Sequence, residues 1–214
     1  MKQIRTLTDL QSVLDNEFSW RLKEIAELKG VVRRPQPLSE YTVVRAGVAL
    51  AYAHWEGFVK SALAAYVDYV DSTRIPNCDL ITPLAVLSLN SKLRIITETK
   101  SAETSTSAFE FIRDQMSQRA KLTGKEMIST EANLSSTVLK QILGAVGISI
   151  VRYETRFNFI DETLLKNRHA IAHGEALVLD KFGWLTVADE TVTLLRWVKT
   201  DIENAASSSA YRRI

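Results

Sequence analysis

The chain has 214 residues, 46% hydrophobic and 24% charged, a globular balance that excludes disorder of the whole chain and fits one domain with its own core. Its 27 Lys and Arg against 25 Asp and Glu leave a formal net charge of +2, which neither demands nor excludes nucleic acid; such a ligand would need a local basic patch. The single cysteine, Cys78, excludes an internal disulfide and a Cys-rich zinc site, and it fits a reducing compartment. The opening MKQIRTLTDLQSVLDNE lacks an apolar stretch of signal-peptide length, and the longest apolar run, Ala46 to Ala53, is under half of the roughly 20 residues that span a bilayer. A cytoplasmic protein with no membrane partner is expected.

With only 8 glycines and 4 prolines, the chain favours helices over a turn-dense β-sandwich. Leu10, Val13, Leu14, Phe18, Leu22, Ile25 and Leu28 share one stripe, predicting a first helix over about Thr8 to Leu28 with a stop at Lys29-Gly30. Val31 to Pro37, with two prolines, reads as a rigid non-helical connection. A long second helix follows from an N-cap at Ser39 to about Val70. Its small residues (Ala46, Gly47, Ala49, Ala53, Gly57, Ala62, Ala65) make room for close neighbours.

Residues 77–134 are less regular and read as an insertion or lid within a single domain spanning 1–214. Thr82 to Arg94 and Ser107 to Arg119 contain helical stretches, and the polar run Thr97 to Ser107 between them predicts a surface loop. A short helix from Ser136 to Leu143 precedes Gly144 and Gly147. Asp161 is a natural N-cap for the next helix, whose apolar side carries Leu164, Leu165, Ile171 and Ala172. Arg168 falls on that same side, an unusual place for a charge. Gly174 stands where a left-handed C-terminal cap is expected. The last helix is predicted from near Thr186, with Asp189 as a capping-box acid and Val192, Leu195, Val198 and Ile202 as its buried stripe. Phe182-Gly-Trp-Leu reads as a short strand or turn, and the end from Ser207 as a frayed tail.

Two of the three histidines, His169 and His173, lie in Arg168-His-Ala-Ile-Ala-His-Gly174; the third is His54. Three readings stand. In the first the residues are structural, with Arg168 in an ion pair and His173 at a helix C-terminus that favours a cation. In the second they hold zinc, since His169 and His173 are i and i+4, although the glutamate of HExxH is absent. In the third they cut RNA: a histidine titrates near neutrality and moves the proton of the 2′-hydroxyl or the leaving oxygen, and an arginine fork stabilises the charge on the phosphorane. Five residues at roughly 100° put Arg168 and His173 about 140° apart around the axis, so they meet at one phosphate only near a helix end or across a symmetric interface.

The Arg168–His173 spacing is the R-x4-H signature, and LLKNRHAIAHGE together with Leu50-Ala-Tyr-Ala-His-Trp-Glu-Gly-Phe-Val-Lys60 resembles the HEPN superfamily, in particular its defence-associated MAE-like branch. The resemblance covers about residues 1–75 and 135–205. It implies an all-α HEPN-like helical bundle that forms a homodimer, with an inserted irregular and helical segment. It also implies metal-independent RNA cleavage without a cofactor, leaving a 2′,3′-cyclic phosphate, as in toxins and phage-defence effectors. Carried over, His173 is the general acid/base and Arg168 the phosphate clamp. His169 occupies a polar position more often Asn or Asp in the family; it orients His173 or touches phosphate. Arg168, His169 and Lys166 are the residues expected to contact RNA, a tRNA being one candidate. Glu56 matches the family's acidic position and is expected either to pair with Arg168 or to form a local pair with Lys60. His54, Tyr52 and Trp55 read as packing residues first. Position 175 is Glu rather than the tyrosine that one toxin branch has modified by a nucleotidyltransferase, so that kind of antitoxin does not fit, while another antitoxin or a defence-complex partner does. The competing expectation is a HEPN-like module that binds RNA or protein without cutting.

Overall fold

Two long helices open the computed structural model, which describes residues 4–34, 39–130 and 133–213: α1, Leu7–Arg33, and α2, Glu40–Ser72. α1 starts in a capping box, with the Thr6 hydroxyl accepting from Asp9 N (3.0 Å) and the Asp9 carboxylate accepting from Thr6 N (3.1 Å). It does not stop at Lys29-Gly30. The helix runs on through Val32, which is buried in the core, and one glycine in a helix costs only about 1 kcal/mol. The expected non-helical connection therefore starts later than Val31, and its Pro35 and Pro37 lie outside the described residues.

α2 begins at the predicted cap, with Ser39 Oγ accepting from Thr42 N at 3.2 Å. Sixteen of its 33 residues are buried, too many for one stripe, and it packs against α1, against the last helix of the chain and against the helix that carries Arg168. At two of the small residues a neighbour comes close, while Ala46 and Ala53 face solvent. The indole of Trp184 fills the space over Gly47, where a Cβ would sit 2.9 Å from the ring, and the buried Arg21 lies over Gly57. His54 is structural, as expected: 3% exposed, edge-on to Trp20, with Nε2 2.9 Å from a Glu24 oxygen.

The middle block holds α3, Thr82–Glu98, and α4, Ala102–Gln115, which pack on each other. Most of the expected polar loop over 97–107 is thus helix. Ser101 caps α4 by accepting from Thr104 N, and the Ser, Thr and Glu residues that hid the periodicity lie on an exposed face, where no apolar spacing is required. The short α5, Gly124–Met127, and α6, Ser136–Ala145, follow. Ala120, Leu122, Ile128 and Leu134 are all buried in the common core. Their spacing is irregular because side chains of α2 hold the backbone: Asp71 accepts from Leu122 N (3.0 Å), Asp68 from Gly124 N (2.8 Å) and the Tyr52 hydroxyl from Leu134 N (2.7 Å).

A 3-10 stretch, Val151–Arg156, leads through a π-helical turn, Phe159–Leu165, into α7, Lys166–Ala172, and the chain closes with α8, Lys181–Ser207. Asp161 is not an N-cap. It lies inside the π turn, and its carboxylate instead accepts from the backbone N and hydroxyl of Ser136, satisfying the start of α6. α8 begins five residues before the predicted Thr186: Asp180 caps it through Gly183 N (2.8 Å). Phe182-Gly-Trp-Leu is its first turn, because Trp184 must reach Gly47. The stripe Leu195, Val198 and Ile202 is buried as expected, with Val192 half-buried beside it. The end of the chain is anchored rather than frayed. Tyr211 is buried, its carbonyl accepts from Ile81 N (3.0 Å), and Arg213 N donates to Asp79 O (2.8 Å). The described residues contain no strand beyond two isolated bridges.

Two tests follow from this packing. A Cβ at Gly124 would lie 2.1 Å from the Ala64 carbonyl oxygen, whereas one at Gly30 meets nothing within 4 Å. In urea unfolding, Gly124→Ala should lose about 1–3 kcal/mol and Gly30→Ala gain up to about 1 kcal/mol. The His54 imidazole is held below its ordinary value of 6.5, first by burial and then by Arg21, against the opposing Glu24 carboxylate. The unfolded chain therefore binds a proton that the folded chain resists, so stability is complete above about pH 6.5 and falls as pH drops below it. His54→Gln should flatten that fall between about pH 7.5 and 5.5; an unchanged slope would remove His54 as its source.

Candidate active site

The site is built on the C-terminal end of α7. Two backbone hydrogen bonds close that end in a Schellman arrangement, with Gly174 in the left-handed region (φ +75°): Gly174 N donates to Ile171 O (3.2 Å) and Glu175 N to Ala170 O (2.8 Å). The predicted cap is therefore present. Arg45 of α2 adds an outside clamp. Its guanidinium donates to the carbonyls of Glu175 and Ile171 and lies 3.3 Å from the Tyr41 hydroxyl, which in turn accepts from Leu177 N (3.0 Å). These contacts place positive charge on the negative end of the helix dipole, and they hold the Tyr41 hydroxyl's pKa down, the Leu177 N–H first and Arg45 second.

Arg168 and His173 leave this end on different sides. Arg168 is half-buried against α2. Its guanidinium lies over the Tyr52 ring (5.1 Å to the centroid) and Nη1 donates to Asn133 Oδ1 at 3.0 Å. His169 shares the same acceptor, its Nε2 2.7 Å away. His173 is the C-cap residue and is exposed; its backbone N donates to His169 O (2.9 Å), and no described residue hydrogen-bonds its ring. Lys166 is the exposed first residue of the helix and is paired with Glu162 at 2.7 Å. The structure thus brings Arg168 and His169 together through Asn133 and keeps His173 apart at the open tip.

Glu56 joins neither of its expected partners. No ion pair links it to Arg168 or Lys60 among the described residues; its carboxylate accepts from the Thr130 hydroxyl at 2.7 Å. Tyr52, one turn earlier, stands beside both Glu56 and Arg168. Burial pushes the Tyr52 phenol up to about 12, the Leu134 N–H pulls it down, and the Glu56 charge raises it again. The phenol is therefore neutral at physiological pH and offers its ring face to Arg168.

Sequence reasoning did not find Asn133, Thr130, Tyr41 or Arg45. Asn133 and Thr130 lie in a segment without periodicity and gave no signal. Arg45 gave one: it is a charge inside the apolar run Val43-Val-Arg-Ala-Gly-Val48, and such a charge needs a partner. No group of three or more His, Cys, Asp or Glu suited to a metal ion occurs among the described residues. No described helix is long and apolar enough to cross a membrane.

An all-α bundle with an R-x4-H helix end is the architecture of a HEPN domain. The MAE_28990-like HEPN family model matches residues 10–211, and the chain belongs to that family. HEPN domains are usually ribonucleases or related to defence. No curated protein and no solved structure matches the chain.

The Arg45 clamp can be tested without knowing the reaction. Hydrogen bonds from a charged donor contribute about 1.5–3 kcal/mol. Arg45→Met should therefore speed hydrogen exchange at Gly174, Glu175 and Leu177 by roughly tenfold or more, leaving α1 and α8 unchanged.

Proposed function

We propose that the chain is a metal-independent endoribonuclease acting as a toxin or phage-defence effector. The RNA supplies its own nucleophile. An imidazole takes the proton from a 2′-hydroxyl as that oxygen attacks the adjacent phosphorus. The bond to the 5′-oxygen breaks, that oxygen leaves with a proton, and a 2′,3′-cyclic phosphate remains. His173 is the general acid/base, Arg168 carries the charge of the phosphorane, and His169 and Lys166 add contacts to the RNA. The observation that supports this best is the helix end itself: an exposed imidazole with no protein partner among the described residues, on the same short helix as an arginine already oriented by Tyr52 and Asn133.

The same geometry supports a homodimer. Arg168 turns toward α2 while His173 stands at the tip, so a single phosphate is better reached by residues from two copies than from one. The net charge of +2 suits a substrate held by few contacts, such as a tRNA, and a regulating antitoxin or defence partner is part of the reading. The alternative, a HEPN module that binds without cutting, is favoured by the contact that already occupies Arg168 Nη1.

Purified protein in EDTA, given total RNA and tRNA, should cut, and His173→Ala or Arg168→Ala should cut about 100-fold less or worse. A folded dimer that never cuts would favour the binding module. Mixing the two inactive variants should restore part of the activity, because one intact site forms when Arg168 comes from one copy and His173 from the other. Variants that stay inactive when mixed would place each site within one copy.

A further inference from the structure

The carboxamide of Asn133 decides more than its own contacts. One of its atoms lies 3.0 Å from Arg168 Nη1 and 2.7 Å from His169 Nε2. Arginine has donors only, so the Asn133 atom that faces it must be the carbonyl oxygen and not the amide nitrogen. That oxygen can only accept, which requires a proton on His169 Nε2. In the neutral imidazole the lone pair then belongs to Nδ1.

Asn133 is itself fastened to α2. Its backbone N donates to Thr130 O (2.9 Å), and the Thr130 hydroxyl donates to Glu56 (2.7 Å). The next residue, Leu134, donates its N–H to the Tyr52 hydroxyl (2.7 Å), and the Tyr52 ring lies under Arg168. Ser135 N donates to Asn133 O (2.9 Å) at the start of α6. Tyr52 and Glu56, one turn apart on the same helix, thus hold Leu134 and Thr130, the described residues on either side of Asn133.

We infer that Asn133 is a positioning residue of this site, which orients Arg168 and fixes His169 as its Nε2–H tautomer, so that Nδ1 is the nitrogen through which His169 gains or loses a proton. The inference rests on the ribonuclease reading only for its consequence in catalysis. Glu56 then acts through Thr130 and Asn133, not by pairing with Arg168.

Nitrogen-15 NMR of the full chain at about pH 8, where imidazoles are neutral, reads the tautomer directly, and with three histidines the His169 signals are assigned by comparison with His173→Ala and His54→Gln. Wild type should show His169 as Nε2–H. Asn133→Ala should show a mixture of tautomers, and Asn133→Asp, which keeps an acceptor, should restore the single form. Asn133→Leu makes the same comparison if the alanine variant does not fold. In the cleavage assay Asn133→Ala should lower kcat between about 10- and 100-fold with little change in KM, and Asn133→Asp should recover part of the loss. An Nδ1–H tautomer in wild type, a tautomer indifferent to Asn133→Ala, or an unchanged kcat would overturn the inference. Wild-type protein that shows the expected tautomer but cuts no RNA would instead defeat the ribonuclease reading and leave the tautomer assignment standing.

Discussion

The constraint on which the structure depends is the burial of α2. A helix surrounded on most sides carries polar groups at a cost unless they find partners, because an unsatisfied buried polar group costs on the order of 1–3 kcal/mol. Tyr41, Arg45, Tyr52, Glu56, Asp68 and Asp71 are among the polar groups on this helix that reach out to later parts of the chain. Tyr41 takes Leu177, Arg45 takes the end of α7, Tyr52 and Glu56 take Leu134 and Thr130 ahead of α6, and Asp68 and Asp71 take the entry to α5. The contacts that satisfy α2 are therefore also the ones that hold the end of α7.

This explains why the site sits at a helix end and not in a deep cleft. α7 is short, has no buried residue of its own and follows a π turn, so little intrinsic helical stability holds it. Its position comes from the Gly174 cap, the Arg45 clamp and the Arg168–Asn133 contact. The tip keeps His173 in solvent while Arg168 is held by Tyr52 and Asn133. In the proposed reaction that restraint would reduce the ordering that the transition state requires.

Much of the frame was legible from residue spacing. α2 with its Ser39 cap, the Gly174 cap and the stripe of α8 follow from periodicity and capping chemistry, which are local. Three of the misreadings share one cause, contacts between distant residues. Gly30 does not stop α1 because Val32 is buried, Phe182-Gly-Trp-Leu is helical because Trp184 fills the gap over Gly47, and Asp161 caps α6 instead of its own helix. α4 hid behind an exposed Ser/Thr face. At the site, Arg168, His169 and His173 could be named from their spacing, whereas Asn133 could not: its part comes from hydrogen bonds to residues 35 and 36 positions away, and nothing in the sequence around it marks them.

The central claim is that this helix end cuts RNA with the RNA's own 2′-hydroxyl. It is tested most directly with one cleavable oligonucleotide, prepared unmodified and with a single deoxyribose on the 5′ side of the cut. The account predicts a 2′,3′-cyclic phosphate and a 5′-hydroxyl from the first and no cleavage of the second. Cleavage at the deoxyribose position, or products ending in 3′-hydroxyl and 5′-phosphate, would contradict it.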